Sequence, residues 1–341
     1  MPSNEIDTHQ VQWGLVIHGG VGVLPKAELT PELEAAYRET LTESLSAGYE
    51  AFGREGTAAD AIVESIQVME DSVLFNAGRG SNFTTDGVVS MDSSIMVGNT
   101  LEAGAAAGVS TVRNPIRLAR AIMEECPHVM LAGSGAEAFA REAGLAMEDA
   151  DYFFTQRRWD DLQEAKSREA QGEGRPNTVD ADEGPLGSAS GGAGEGPVSD
   201  DLLKSQSGTV GAVALDSART LVAGTSTGGS ANKKWGRIGD SPVISAGTYA
   251  GSHCGVSCTG WGEYFIRHAV AHDIQARMAY KDLSLREATR QVIQGTLENH
   301  RKGLGGVVAM DKDGNIEMCY NTQGMYRGWV DEKGRIEVAI F

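Results

Sequence analysis

The amino-acid sequence predicts an α/β fold in which two β-sheets lie face to face, covered by helices on their outer faces. Three observations lead there. The first half of the chain is rich in helical periodicity with a few strand-like runs between. The second half is dominated by hairpins set around two helices. Nowhere do strands and helices alternate regularly, as a doubly wound parallel sheet requires. At 341 residues, 41% of them hydrophobic and 22% charged, the chain can bury a large core.

Val11 to Ile17 reads as the first strand, running into the glycine-rich turn His18-Gly19-Gly20-Val21-Gly22. That turn is no phosphate loop, because the Gly-Lys-Ser/Thr ending is absent. Thr30-Pro31 is a cap followed by a first-turn proline, and Leu33, Tyr37, Leu41 and Leu45 mark one helix face. Thr57 and Asp60 have the spacing of a capping box, with Ile62, Ile66 and Met69 on the apolar side of the next helix. An ordered loop follows from Glu70 to Asn82. Val88 to Val97 is strand material interrupted by Asp92-Ser93-Ser94, and Ala103 to Val109 is a small-residue strand or turn. Helices are expected from Asn114-Pro115 to about Glu124 and from Ser134 to Ala143, then an apolar anchor at Tyr152-Phe153-Phe154.

From Gln171 to Asp200 the composition changes: 8 glycines and 3 prolines in 30 residues, with few large apolar side chains. Such a segment, taken as about 166–208, reads as a mobile linker, either a tether or a means of delivering the following peptide bond for cleavage. Beyond it, Val210 to Asp216 and Leu221 to Gly229 form a hairpin. Pro242 to Gly247 and His253 to Cys258 are strand candidates, Glu263 to Tyr280 a helix, and Ser284 the cap of another. The final element is the hairpin Gly306–Met310 and Asn315–Tyr320, joined by Asp311-Lys312-Asp313-Gly314. That turn lacks the closing glutamate of a calcium loop, since position 12 is Thr322.

Charge narrows the classes of partner. With 29 basic against 47 acidic residues, a net of −18, the chain lacks the basic excess that nucleic acid or an anionic membrane demands. Its amino end has no basic segment leading into an apolar core, and no run of about 18 apolar residues exists, so a cytoplasmic protein without a membrane span is expected. Cys126, Cys254, Cys258 and Cys319 are too scattered for a disulfide framework and read as free thiols.

The chemistry centres on Ser207-Gly208-Thr209-Val210-Gly211. A threonine opening a buried strand is ordinary β chemistry. It is also what a hydrolase needs if the chain is cut before Thr209, because the new α-amine then serves as base for the hydroxyl on the same residue. Gly208 suits such a scission, permitting unusual backbone angles and leaving its carbonyl accessible. Downstream stand Thr227, then Arg237 and Asp240 three residues apart in a glycine-punctuated loop. That pair can hold the α-carboxylate and α-ammonium of an amino-acid-like ligand, or it can be a surface salt bridge. Thr259 and Gly260 end a strand before a helix, where a hydroxyl and an N–H can meet charge developing on an amide oxygen.

Taken together, His18-Gly19-Gly20, Leu74-Phe75-Asn76-Ala77-Gly78, Gly208 to Ala214, Thr225-Ser226-Thr227-Gly228-Gly229, Gly236 to Pro242, Ser257-Cys258-Thr259-Gly260 and Asn321 to Met325 resemble the plant-type L-asparaginase and isoaspartyl aminopeptidase family of N-terminal-nucleophile (Ntn) hydrolases. The resemblance spans nearly the whole chain outside the linker. It implies a single four-layer αββα sandwich, cut between Gly208 and Thr209 into an α-subunit of residues 1–208 and a β-subunit of 209–341, assembled as (αβ)2. Thr209 would be the nucleophile, tuned by Thr227, with Asn76 helping to hold it. Arg237 and Asp240 would bind the substrate's α-carboxylate and α-amine, with Gly262 in the pocket and Thr259 and Gly260 as oxyanion donors.

The substrates implied are β-aspartyl dipeptides and L-asparagine. A related amidase acting on the glycan–asparagine bond, or a silent protein on the same sandwich, are the alternatives. No organic cofactor is implied. A structural Na+ (or K+) would sit on backbone carbonyls of Met69, Glu70, Ser72, Phe75, Ala77 and Arg79, and the Cys126-Pro127-His128 region resembles a second alkali-ion loop. Trp261 departs from the small or polar residue usual after the Thr-Gly pair and is expected to narrow or cap the pocket.

Overall fold

Strands with two buried faces set the architecture. The computed structural model describes residues 10–22, 28–171, 208–300 and 303–341. β1 (Gly14–Val21) and β5 (Val210–Leu215) are buried along their whole length. Leu15, Ile17, Val210, Ala212 and Ala214 join the core beneath one helical layer, whereas Val16, Val213 and Leu215 join the core between the sheets. Successive side chains of a strand point to opposite faces, so a continuous apolar run is what a sheet covered on both sides demands.

These strands lie in an eight-stranded sheet with β2 (Met91–Val97), β3 (Ala103–Val109), β4 (Met130–Ala132), β6 (Leu221–Thr227), β11 (Met325–Asp331) and β12 (Ile336–Ala339). Its order is β12-β11-β1-β5-β6-β2-β3-β4, antiparallel except for the β3–β4 pair. A four-stranded antiparallel sheet packs against its inner face, ordered β10-β9-β8-β7 and made of β7 (Thr248–Ala250), β8 (Cys254–Gly260), β9 (Gly305–Asp311) and β10 (Ile316–Tyr320).

Helices α1 (Pro31–Gly53), α2 (Ala58–Asp71) and α3 (Pro115–Glu125) cover the large sheet, with α4 (Gly133–Glu142), α5 (Ala150–Phe153) and α6 (Gln156–Ala170) at its β3–β4 side. On the small sheet lie α7 (Gly262–His268), α8 (Val270–Lys281) and α9 (Leu285–Gln291), the last continuing as a π-helical turn, Val292–Leu297. The layers are α, β, β and α, as the sequence predicts.

Local signals act as read. Thr30 accepts a hydrogen bond from Leu33 N ahead of Pro31, and Thr57 with Asp60 forms a reciprocal capping box. Asp311 accepts from the N–H groups of Asp313 and Asn315, closing a hairpin turn. All four cysteines are free.

Several expectations are corrected. His18-Gly19-Gly20-Val21 is not a turn after β1 but part of it, with a register irregularity between His18 and Gly20. Asp92-Ser93-Ser94 does not interrupt β2; all three lie within it, buried, with Ser94 Oγ donating to Ser241 O and Asp92 Oδ1 accepting from Gly108 N. Pro242–Gly247 forms turns rather than a strand, and β7 follows it. The helical run of 263–280 breaks at Ala269, in the left-handed region with φ 47, which periodicity misses because the apolar spacing carries on through the break. The chain continues past the β9–β10 hairpin into β11 and β12. Residues 166–170, assigned to the linker, are the last turns of α6, and 172–207 lie outside the described residues.

Candidate active site

Thr209 stands immediately before β5, 9% exposed, and Thr227 ends the neighbouring strand β6. The antiparallel register, with Val210 opposite Ser226, brings the two hydroxyls to 3.0 Å. Gly208, on the amino side of the junction, has φ 127, a conformation that L side chains rarely adopt. A Cβ there would stand 2.6 Å from Asn76 Cβ, and one on Gly20 would stand 2.6 Å from Gly208 Cα. Glycine at both positions is what lets β1, the Asn76 loop and the junction meet.

Asn76, fully buried, does not hydrogen-bond Thr209 itself. Its backbone N–H donates to the Gly208 carbonyl at 3.1 Å and its carbonyl accepts from Gly228 N at 2.8 Å. Its side chain donates to Gly229 O at 2.8 Å and accepts from Asn82 N at 2.8 Å. Gly229 N in turn donates to Thr227 Oγ1 at 3.0 Å. Asn76 thus fixes what lies on either side of the two threonines.

A file of buried polar groups, unforeseen in the sequence, runs from the Thr209 carbonyl between the sheets. His18 Nδ1 lies 3.1 Å from Thr209 O, and its Nε2 is 2.9 Å from Ser257 Oγ. Ser257 Oγ is 2.7 Å from Thr225 Oγ1, which is 2.6 Å from Thr248 Oγ1, itself 2.8 Å from Ser94 Oγ. Burial holds His18 neutral, its pKa pushed down to about 3 against the hydrogen bond that it donates to the Thr209 carbonyl. A carbonyl can only accept, so the single imidazole proton is on Nδ1, and Ser257, Thr225 and Thr248 each donate toward Thr209 in turn, while Ser94 also has the Ser241 carbonyl at 2.6 Å to donate to. The only trace of this in the sequence is small hydroxyl residues at inward positions of four strands.

Arg237 and Asp240 come together with Gly262, as the sequence suggests. A Cβ on Gly262 would lie 2.8 Å from Asp240 Oδ1 and 3.0 Å from Arg237 Nη2, so only glycine leaves the space between them open. Arg237 is not in a surface pair with Asp240. Its Nε and Nη2 donate to the two oxygens of Glu263, both at 2.9 Å. Burial would raise the Glu263 carboxyl, but the hydrogen bonds and charge of Arg237 prevail and hold it below the usual carboxylate range. Glu263, in the first turn of α7, was missed; an acid directly after Gly262 was the available signal.

Asp240 is 5% exposed, and its Oδ2 is buried without a hydrogen-bond partner among the described residues. Burial pushes its pKa up to about 7, with the Arg237 charge opposing. A buried carboxylate oxygen left unpaired costs free energy that a cationic ligand recovers. Beneath the clamp, Lys233 Nζ donates to Ser90 O at 2.5 Å and lies 3.9 Å from Asp92, which sits opposite Thr227 in the β2–β6 register. Burial raises the Asp92 pKa, opposed by the charge of Lys233, the hydrogen bond from Gly108 N and the charge of Arg237.

Thr259, near the end of β8, accepts from Val21 N at 3.2 Å, which brings its hydroxyl to the same end of β1 as Gly20 and Gly208. Gly260 follows with φ 151. Trp261 does not stand free as a cap. It is 3% exposed, in the core of the small sheet and its helices, with its ring edge-on to Tyr264 at 6.5 Å. In the Met69–Arg79 loop, a Cβ on Gly80 would meet the carbonyls of Phe75 at 2.1 Å and of Ser72 and Val73 at 3.0 Å, and one on Gly78 would meet Glu70 O at 2.3 Å. Carbonyl oxygens gathered around a glycine turn suit a hard cation. No group of three or more His, Cys, Asp or Glu side chains able to hold a metal occurs among the described residues. Nor is any helix among them long and apolar enough to cross a membrane.

Comparison with known proteins places the whole described core in one family. The family described as Asparaginase matches residues 11–340. The isoaspartyl peptidase of Salmonella typhimurium is 42% identical, covering 92% of this chain and 94% of the relative. That of Escherichia coli is 41% identical, covering 92% of each. The plant-type L-asparaginase of Pyrococcus abyssi is 39% identical over 93% of this chain and 96% of its own length.

Proposed function

The chain belongs to the family of plant-type L-asparaginases and isoaspartyl peptidases, the Ntn-hydrolase enzymes of that type, and from this premise we propose that it cuts itself before Thr209 and then releases L-aspartate from β-aspartyl dipeptides and L-asparagine. The observation carrying the proposal is the pairing of Thr209 and Thr227 hydroxyls at 3.0 Å beside a Gly208 carbonyl that already accepts a hydrogen bond from Asn76 N.

In maturation, the Thr209 hydroxyl attacks the Gly208 carbonyl carbon, and Thr227 Oγ1, 3.0 Å away, is positioned to relay its proton toward the departing Thr209 nitrogen. Asn76 N–H stabilises charge on the carbonyl oxygen. The C–N bond breaks as the acyl group moves to Oγ1, the nitrogen gains a proton, and water hydrolyses the ester. Residues 1–208 then end in a carboxylate, and 209–341 begin with a free amine.

In turnover, that amine accepts the Thr209 hydroxyl proton as the oxygen attacks the substrate's side-chain carbonyl, then passes it to the departing amine or ammonia. Water hydrolyses the β-aspartyl ester. Arg237 and Asp240 hold the α-carboxylate and α-ammonium, and Thr259 and Gly260 meet the oxyanion in both halves. Carbonyls of Met69, Glu70, Ser72, Phe75, Ala77 and Arg79 would hold a sodium or potassium ion, which when bound stiffens the loop carrying Asn76. Pairing of two cleaved units into (αβ)2 belongs to the same reading.

Intact-mass analysis tests the first step. Wild type should give two fragments meeting at Gly208–Thr209, while Thr209→Ala stays whole. Aspartate release from β-Asp-Leu, asparagine and glycosyl-asparagine tests the second. An uncleaved wild type that turns over substrate, or processed protein acting on none of the three, overturns the proposal.

A further inference from the structure

His268 and His300 take no part in the hydrolytic site, yet their Nε2 atoms lie 3.1 Å apart. His268 ends α7, followed by the left-handed Ala269, and Ala269 N is tied to Ile266 O at 3.1 Å. His300 lies just past the π-helical turn, its N–H on Leu297 O at 3.0 Å and its carbonyl accepting from Gly303 N at 2.8 Å. Both backbones are therefore fixed, and both rings are half-buried, with one side open to water.

The spacing of the two rings bears on what such a pair can hold. A straight N–H···N bond of this length, with each ring centre about 1.1 Å behind its nitrogen, would separate the centroids by about 5.3 Å. The centroids lie 4.9 Å apart with the planes at 42°, so the rings are tilted off the line joining the two nitrogens. An ion bound by both nitrogens at roughly 2.0–2.1 Å would subtend an angle of about 98° and give a centroid separation of about 4.8 Å. That angle falls between octahedral and tetrahedral coordination.

We propose that His268 and His300 form a binding site for a borderline divalent transition ion of the Zn2+, Ni2+ and Cu2+ class, with water completing its coordination. Imidazole is the ligand these ions share. Each ring must present a bare Nε2, with its proton on Nδ1. Burial, then the neighbouring His300 and Arg267, lowers the His268 pKa, with Asp273 opposing, so its neutral ligating form prevails at pH 7. Arg267 lies over the Tyr264 ring, 4.5 Å from its centroid, and the Tyr264 and His300 ring centroids are 5.4 Å apart, so Arg267, Asp273 and Tyr264 are among the charges and rings near the pair. With two protein ligands the site is exchangeable rather than permanent. It staples the end of α7 to the segment after the π-helical turn and does not depend on the hydrolytic reading.

The test is isothermal titration of tag-free protein with ZnCl2 at pH 7.5, alongside thermal unfolding. One ion per chain is expected, with a rise in Tm and at least a tenfold loss of affinity in each of His268→Asn and His300→Asn. These asparagines keep polar bulk at half-buried positions, and zinc-free Tm values within a few degrees of wild type exclude misfolding as the cause. No binding at millimolar zinc, or binding unchanged in the double variant, overturns the proposal.

Discussion

Replacing Glu263 by alanine separates two ways in which a clamp arginine can be held. Glu263 accepts two hydrogen bonds from Arg237, and the two side chains are 31% and 19% exposed, so the pair is largely but not wholly out of water. Removing one partner of a fully buried pair costs about 3–5 kcal/mol, and the residual exposure reduces that here to about 2–3 kcal/mol. If Glu263 orients the guanidinium for a substrate carboxylate, the loss appears in ground and transition states alike. KM for asparagine then rises by roughly 30–100-fold, at about 1.4 kcal/mol per decade, while kcat changes little. The assay is steady-state aspartate release from fully processed protein, with Tm expected to fall by several degrees. A lower KM in Glu263→Ala would refute the reasoning, because it would mean that the glutamate competes with substrate for Arg237. A drop in kcat at constant KM would refute it equally.

Gly208→Ala should accumulate as an uncut chain by gel electrophoresis, because a methyl group at φ 127 and 2.6 Å from Asn76 Cβ displaces the junction from the threonine pair; normal cleavage would show that this backbone geometry is dispensable. Asp240 must be ionised to grip an α-ammonium, so kcat/KM should climb as pH rises through about 7 and then level, and Asp240→Asn should lose that limb along with most of its activity. The same raised pKa means that the Asp240 contribution to stability is present below its unfolded value near 4 and is lost as pH rises through about 7, a trend absent from the Asn variant in urea titrations. Ser257→Ala removes the partner of His18 Nε2 and should cost about 1–3 kcal/mol in urea unfolding; an unchanged midpoint would mean that the file of hydroxyls contributes nothing to stability.

Local sequence signals set the layers and pointed to candidate members of the site. Apolar runs such as Val210–Leu215 announce strands buried on both faces, and Thr30-Pro31 and Thr57-Asp60 announce helix starts, because propensity, caps and periodicity act over a few neighbouring residues. The family likeness supplied Thr209, Thr227, Arg237, Asp240 and Thr259 as a set. Only the tertiary structure decided how they are held. Glu263 on Arg237, His18 on the Thr209 carbonyl, and Asn76 acting through Gly208 and Gly229 instead of on Thr209 are contacts between residues 26 to 191 positions apart in the chain. Likewise Trp261, expected at the pocket, turned into the core, and Asp92-Ser93-Ser94, which reads as a break, stayed in β2, where Ser94 bonds Thr248 and Asp92 accepts from Gly108 N. A polar residue's place depends on which partner the fold brings opposite it, and no local pattern encodes that pairing.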